Sequence, residues 1–268
     1  MQPSPTDEVA TALVRTEIAG GVATVTLDSP RNRNALSTSM RAQLLAALQQ
    51  VSQADAVRVV VLTHAGPAFC AGMDLKETAV EQPGHEGVRE VPAILQAISD
   101  CGKPVIAALA GPARAGGVGI MAAADIVLCS PNVSFSFSEV RIGVIPAVIT
   151  VPVLDRMNVV AAREYLLTGA VFDADRARDT GLVNAVAENG TPEALQDLVD
   201  SYTAALLLGG PTAVSGTKRI VRAGYDDSDA RFAPLLELSA RQFSSAEGRE
   251  GARAFAEKRP ASWVAAGN

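Results

Sequence analysis

The amino-acid sequence predicts an α/β fold followed by a helical C-terminal region, and three observations carry that reading. Two short apolar runs, Val57-Arg58-Val59-Val60-Val61-Leu62-Thr63 and Val105-Ile106-Ala107-Ala108-Leu109, have the composition of buried strands. Each leads into a turn of small residues, Phe69-Cys70-Ala71-Gly72-Met73-Asp74-Leu75 after the first and Gly111-Pro112-Ala113-Arg114-Ala115-Gly116-Gly117-Val118-Gly119-Ile120 after the second. From Val159 onward the pattern is helical. In the first part the order strand, strand, helix recurs, in place of the strict strand and helix alternation of a doubly wound sheet.

Taken in order, Leu13 to Glu17 and Val22 to Leu27 are separated by Ala19-Gly20-Gly21, a hairpin signal. Asp28-Ser29-Pro30 breaks the second strand. A helix follows from Ser37 or Thr38, with Met40, Leu44, Leu45, Leu48 and Val51 on one face. The strand at 57–63 comes next. Residues 77–90 are polar, contain Pro83, Gly84 and Gly87, and read as a loop. Pro92 opens a helix through Ile94, Leu95 and Ile98, closed by Gly102 and Pro104. Strand 105–109, the second turn and a short helix to Ala124 complete another unit. Ile126 to Cys129 and Phe135 to Phe137 read as strands. Helices are expected at 159–167, 174–180 with Asp173 as cap, 192–207, 211–222, 228–246 and 248–257.

With 268 residues, 48% of them hydrophobic, the chain has enough apolar material for one large domain with an appendage. We divide it into a disordered N-terminus at 1–12, a core at 13–200 and a helical region at 201–268. A net charge of -6 offers no general attraction to nucleic acid or to an anionic membrane. Cys70, Cys101 and Cys129 are an odd, scattered set that does not make a disulfide framework and fits a reducing cytoplasm. The first dozen residues do not read as a signal peptide, and no run of about 18 apolar residues is present to span a membrane.

Several chemistries are excluded on spacing. Gly116-Gly117-Val118-Gly119 lacks the glycine interval of a dinucleotide turn, and residues 210–218 lack that of a phosphate loop. Two histidines without clustered ligands argue against a metal site. Cys70 with His64 or His85 leaves two alternatives, a thiol nucleophile or a packing residue. What remains is the pair of small-residue turns. Ala and Gly leave backbone N–H groups uncovered, and two such turns can aim two donors at one carbonyl oxygen, the recipe for an oxyanion hole. Tight packing of two turns explains the small residues equally well. Glu139, at the end of an apolar strand, is either an acid or base raised by burial, or a structural carboxylate paired with Arg141.

The chain resembles the enoyl-CoA hydratase/isomerase (crotonase) superfamily through Asn34-Ala35-Leu36, Ala68 to Leu75, and Ala115-Gly116-Gly117-Val118-Gly119-Ile120. Segments at Glu139 to Pro146, Ala177 to Val186 and Glu247 to Lys258 extend the likeness over nearly the whole chain. The resemblance implies a crotonase-like spiral of ββα units, with the C-terminal helices packing subunits into a homotrimer or homohexamer. It implies an acyl-CoA substrate and no other cofactor. It places Ala71 and Gly116 as the backbone oxyanion donors and Glu139 as the catalytic acid or base. Gly72, Met73, Asp74 and Arg31 fall on the CoA-binding positions, Arg33 lies on the same loop as Arg31, and Phe255 and Lys258 can reach the CoA of a neighbouring subunit. Gly119 departs from the pattern, because two-glutamate hydratases carry their second Glu there. The Arg114 form of the second turn also resembles a bacterial branch linked to methylglutaconyl-type hydratases. Hydration of a 2-enoyl-CoA in fatty-acid or branched-chain metabolism is the first expectation. Isomerisation of the double bond by Glu139 alone, or weak acyl-CoA binding without catalysis, stays open.

Overall fold

In the computed structural model the described residues are 12–78, 86–223, 238–239, 241–242 and 244–264. The chain starts with the hairpin of β1 (Val14–Ala19) and β2 (Val22–Leu27), paired antiparallel. Then β3 (Val59–His64), β4 (Val105–Leu109), β6 (Ile126–Cys129) and β9 (Ala185–Val186) add in parallel, giving a sheet of order β1-β2-β3-β4-β6-β9. Both faces of its centre are covered, which is why β3 and β4 read as continuous apolar runs. Side chains alternate across a strand. Val60 and Leu62 therefore join the large core, while Val59 and Val61 pack with Ile106, Leu128 and the helical residues Leu195 and Val199 on the opposite face.

A second, shorter layer is built from β5 (Ala113–Arg114), β7 (Ser134–Ser136) and β8 (Phe172–Asp173). Bridges Cys70↔Ala113 and Leu36↔Met73 extend it by two more segments. Before α1, α2, α4 and α5 the chain thus supplies a strand to the main sheet and then a short piece to this layer, the recurrence expected from the strand, strand, helix order. Helix α1 (Thr38–Gln53) is capped by Ser37, whose hydroxyl accepts from Met40 N–H, and it buries Met40, Leu44, Leu48 and Val51. The short helix α2 (Leu75–Thr78) and then α3 (Glu86–Ser99) follow β3. Helix α4 (Gly116–Ala122) follows β5, and α5 (Thr150–Leu154) and α6 (Val159–Thr168) follow β7. Helix α7 (Ala174–Asp179) is capped by Asp173 as its sequence indicated.

Three expectations about element limits are corrected. Helix α3 begins well before Pro92, which lies inside it. A proline there removes a hydrogen bond, but Val91, Ile94, Leu95 and Ile98 are buried along the helix, and Glu90 in its N-terminal half is tied to Arg41 at 2.7 Å. The loop expected at 77–90 is accordingly shortened from both ends, with residues 79–85 outside the described part. The division at 200/201 falls inside α8 (Pro192–Leu208), which packs on the main sheet. Gly209-Gly210 ends that helix, after which come α9 (Pro211–Ala223) and α10 (Ala246–Ala256). The expectation for residues 1–11 and most of the helix expected at 228–246 lie outside the described residues.

Candidate active site

The two small-residue turns lie side by side because the strands that feed them are neighbours. β3 pairs with β4 through Val60↔Val105, and the turns themselves meet at the Cys70↔Ala113 bridge. Gly111 permits the crossing, since a Cβ there would stand 2.5 Å from the Pro67 carbonyl oxygen. Gly72 takes φ +88°, and a Cβ on it would lie 2.9 Å from Ala115 Cβ and 3.6 Å from Gly116 N. β7 pairs with β5 through Ala113↔Phe135 and Arg114↔Ser136, so the 3-10 turn Ser138–Ile142 that carries Glu139 comes next along the layer.

Following each N–H shows which donors are free. Ala71 N–H donates to the Arg33 carbonyl at 3.0 Å, and Gly72 N–H to Cys70 Sγ at 3.4 Å. The expectation that Ala71 supplies an oxyanion donor is therefore corrected: its N–H is already occupied. Met73 N–H has no partner among the described residues. Its direction is also set, because Leu36 N–H donates to the Gly72 carbonyl at 2.8 Å. The Gly72–Met73 peptide is planar and trans, so Met73 N–H points away from Leu36. Gly116 follows the same logic. The Ala115 carbonyl accepts from Val118 N–H at 2.8 Å and Gly119 N–H at 3.3 Å, which turns Gly116 N–H outward from α4, where it has no partner among the described residues. Sequence reading located the turn at Gly72 but not which of its N–H groups is free, because the Arg33 carbonyl that occupies Ala71 N–H comes from a loop far away along the chain.

Glu139 Oε2 is buried with no hydrogen-bond partner among the described residues. Burial raises its pKa above the ordinary carboxylate range, opposed by a backbone hydrogen bond from its own N–H. The competing structural pairing is not formed, since Arg141 turns its Nε–H to the Gly169 carbonyl at 3.1 Å. A half-buried carboxyl without a counterion is suited to giving and taking protons near neutral pH.

Gly119, inside α4, has no room for a side chain: a Cβ would stand 2.4 Å from Ile149 Cγ2 and 2.8 Å from Ile149 Cβ. Ile149 is buried and fills that space. Cys70 is fully buried, its thiol pushed up to about 12 by burial, so the packing reading holds. Asp74 accepts from Asn32 Nδ2 at 3.2 Å and from Lys76 N–H at 3.1 Å, acting at the start of α2 as a cap. Arg31 and Arg33 are exposed beside this turn.

Phe255, 88% exposed, and Lys258 are not brought to the turns within one chain. Helix α10, which carries Phe255 and ends two residues before Lys258, is held by Glu247, which accepts from Thr212 and Ala213 N–H at the start of α9. A groove of about 1160 Å³ between α3, α5 and α9 includes none of Met73, Gly116 and Glu139. Among the described residues no three His, Cys, Asp or Glu side chains are grouped to hold a metal ion, and no helix is long and apolar enough to cross a membrane.

Two N–H groups without partners among the described residues thus lie on adjacent turns, with the Glu139 carboxyl on the next segment. Comparison with known proteins bears on the same question. A sequence model of the family described as enoyl-CoA hydratase/isomerase matches residues 17–266. An enoyl-CoA hydratase of Mycobacterium tuberculosis is 34% identical over 254 residues, covering 91% of this chain and 93% of that protein. Among solved structures, an enoyl-CoA hydratase of Mycobacterium smegmatis superposes with a TM-score of 0.88 at 30% identity, over 95% of this chain and 100% of the other. One from Mycobacterium avium reaches 42% identity with a TM-score of 0.71, over 94% and 99%. The spiral of ββα units, the matched length and these likenesses lead to one conclusion: the chain belongs to the enoyl-CoA hydratase/isomerase family, the crotonase superfamily.

Proposed function

We propose that the protein hydrates a 2-enoyl-CoA, with Met73 N–H and Gly116 N–H holding the thioester carbonyl and Glu139 moving the proton. The observation that supports this most is the buried, unpartnered Oε2 of Glu139 on the segment adjoining two turns with free donors. As water adds to C3, Glu139 takes its proton and negative charge passes to the thioester oxygen, where the two N–H dipoles stabilise the enolate. The proton is then delivered to C2, so that H and OH have been added across C2=C3 and Glu139 is again ionised. The CoA thioester is substrate, and no further cofactor is called for. Asp74 and Gly72 hold the first turn in place, Arg31 lies where a CoA phosphate can be met, and Phe255 and Lys258 are free to approach the CoA of a neighbouring copy.

One observation favours a second reaction at the same site. Ile149 occupies the space beside Gly119, so the place of a second carboxylate is apolar. A single carboxyl suffices to remove a proton from C2 of a 3-enoyl-CoA and return it at C4, which is double-bond isomerisation. Self-association into a trimer or hexamer is supported by exposed apolar side chains between the Glu139 turn and β8, including Ile145 at 79%, Val151 at 69%, Val160 at 72% and Leu167 at 78%.

The test is a panel of 2-enoyl- and 3-enoyl-CoA thioesters of differing chain length and branching, with hydration and isomerisation followed in parallel. Turnover of a 2-enoyl-CoA to the 3-hydroxy product is the expected result. Turnover of 3-enoyl thioesters alone would establish the second reaction, and acyl-CoA binding without any turnover would overturn both.

A further inference from the structure

We infer that Asn34 is a positioning residue for the oxyanion donor on the first turn, an inference that rests on the proposed use of Met73 N–H. Asn34 is fully buried and lies with Arg33 in consecutive left-handed conformations, φ +54° and +56°. Its carboxamide joins separate stretches of chain. Oδ1 accepts from Ser29 N–H at 2.7 Å, while Nδ2 donates to the Ala68 carbonyl at 2.8 Å and the Ala65 carbonyl at 3.0 Å. The loop between β2 and α1 is thereby pinned to the stretch by which β3 enters the first turn.

The two hydrogen bonds that aim Met73 N–H leave from residues on either side of Asn34. Arg33 O receives Ala71 N–H, and Leu36 N–H donates to Gly72 O. Whatever sets the separation of the 29–36 loop from the 65–73 segment thus sets the orientation of the Gly72–Met73 peptide. Asn32 Nδ2 donates to Asp74 Oδ2 at 3.2 Å at the edge of this join, while the Asn34 carboxamide is the buried side-chain link across it: with all three polar partners in the backbone, it acts as a spacer of fixed length. Arg41 adds a second, indirect restraint, donating from Nη1 to Leu36 O at 2.6 Å. The side chain of Asn34 points into the join between the two segments, so it acts on the reacting atoms only through Met73.

Asn34→Asp and Asn34→Gly test the inference. Asp keeps the shape but sets a carboxylate against two carbonyls; Gly accepts the left-handed backbone freely and removes the link. Each is purified in its folded form, judged by circular dichroism, and assayed on the best thioester from the panel together with the near-ultraviolet enolate absorption of bound acetoacetyl-CoA. A displaced donor is expected to lower kcat about 10- to 100-fold while KM moves by less than about threefold. It should also weaken the enolate band of the saturated complex.

A purely structural role predicts a lowered thermal midpoint with kcat per folded molecule and the enolate band unchanged, and that result, or failure of both variants to fold, would overturn the inference. If instead the wild-type protein binds acetoacetyl-CoA without polarising it, the proposed oxyanion site itself fails, a result distinct from loss in the variants alone.

Discussion

Replacing Glu139 with Gln removes the proton carrier while keeping its shape, and the structure gives the expected effects on rate and on stability opposite signs. General acid or base catalysis contributes about 10²- to 10⁴-fold, so kcat should fall by that factor with the affinity for acyl-CoA nearly unchanged. Stability should rise. Burial lifts the Glu139 pKa in the folded protein above its unfolded value. Such a carboxyl binds its proton more tightly when folded, so stability falls as pH climbs from the unfolded pKa through the folded one. Above that window the ionised, unpartnered group is a net cost, which Gln escapes. Because the side chain is partly open to water, the gain is set at the low end for an unsatisfied buried group, on the order of 1 kcal/mol. For a chain of this length that corresponds to roughly 2–4 °C in thermal midpoint. Melts of both proteins at pH 8 and pH 4, with rates on the best thioester at pH 8, make the comparison. The variant should gain more at pH 8 than at pH 4. Undiminished turnover would show that another group moves the proton, and a larger gain at pH 4 would contradict the account of the carboxyl's surroundings.

Other substitutions probe the frame around it. Gly119→Ala gains about 1 kcal/mol of helix propensity but must displace Ile149 Cγ2, an overpacking cost of about 1–3 kcal/mol. It should be no more stable than wild type in urea. With Ile149→Ala in the same chain the two effects should offset by about 1 kcal/mol or more, whereas strict additivity would show that Ile149 is not the obstacle. Ala115 holds φ +48° and ψ -121° at the start of α4. Such strain costs about 1–3 kcal/mol, against about 0.5–1 kcal/mol of extra chain entropy for glycine, so Ala115→Gly should raise the thermal midpoint; a fall would refute the strain assignment. All three cysteines are buried, and burial pushes the thiols of Cys70 and Cys129 up to about 12. A disulfide reagent at pH 8 should therefore find no rapidly reacting thiol in the folded protein and three after denaturation. Rapid labelling of Cys70 would reopen its role as a nucleophile.

Much of this architecture is local in origin and so was legible in the residues. The β-branched runs read as buried strands, Asp173 announced the cap it forms, and the glycines at 72 and 116 marked where backbone is bare. Glu139 stood out because a carboxyl at the end of an apolar strand must be either paired or perturbed. Which of those it is was decided by tertiary structure, through the turn of Arg141 toward Gly169. That Ala71 N–H is occupied, while Met73 N–H has no partner among the described residues, has the same cause. An N–H is free or occupied according to which distant carbonyl arrives, and the carbonyl that reaches Ala71 belongs to Arg33, in the loop between β2 and α1. Gly119 read as a vacancy, yet in three dimensions Ile149 fills it. Pro92 read as a helix start, yet the helix forms around it, because the apolar face it presents to the core outweighs one missing hydrogen bond. Periodicity and turn chemistry act over a few neighbouring residues and are written in the sequence; the partner of a given polar group is set by packing between segments far apart along the chain, and only the folded structure states it.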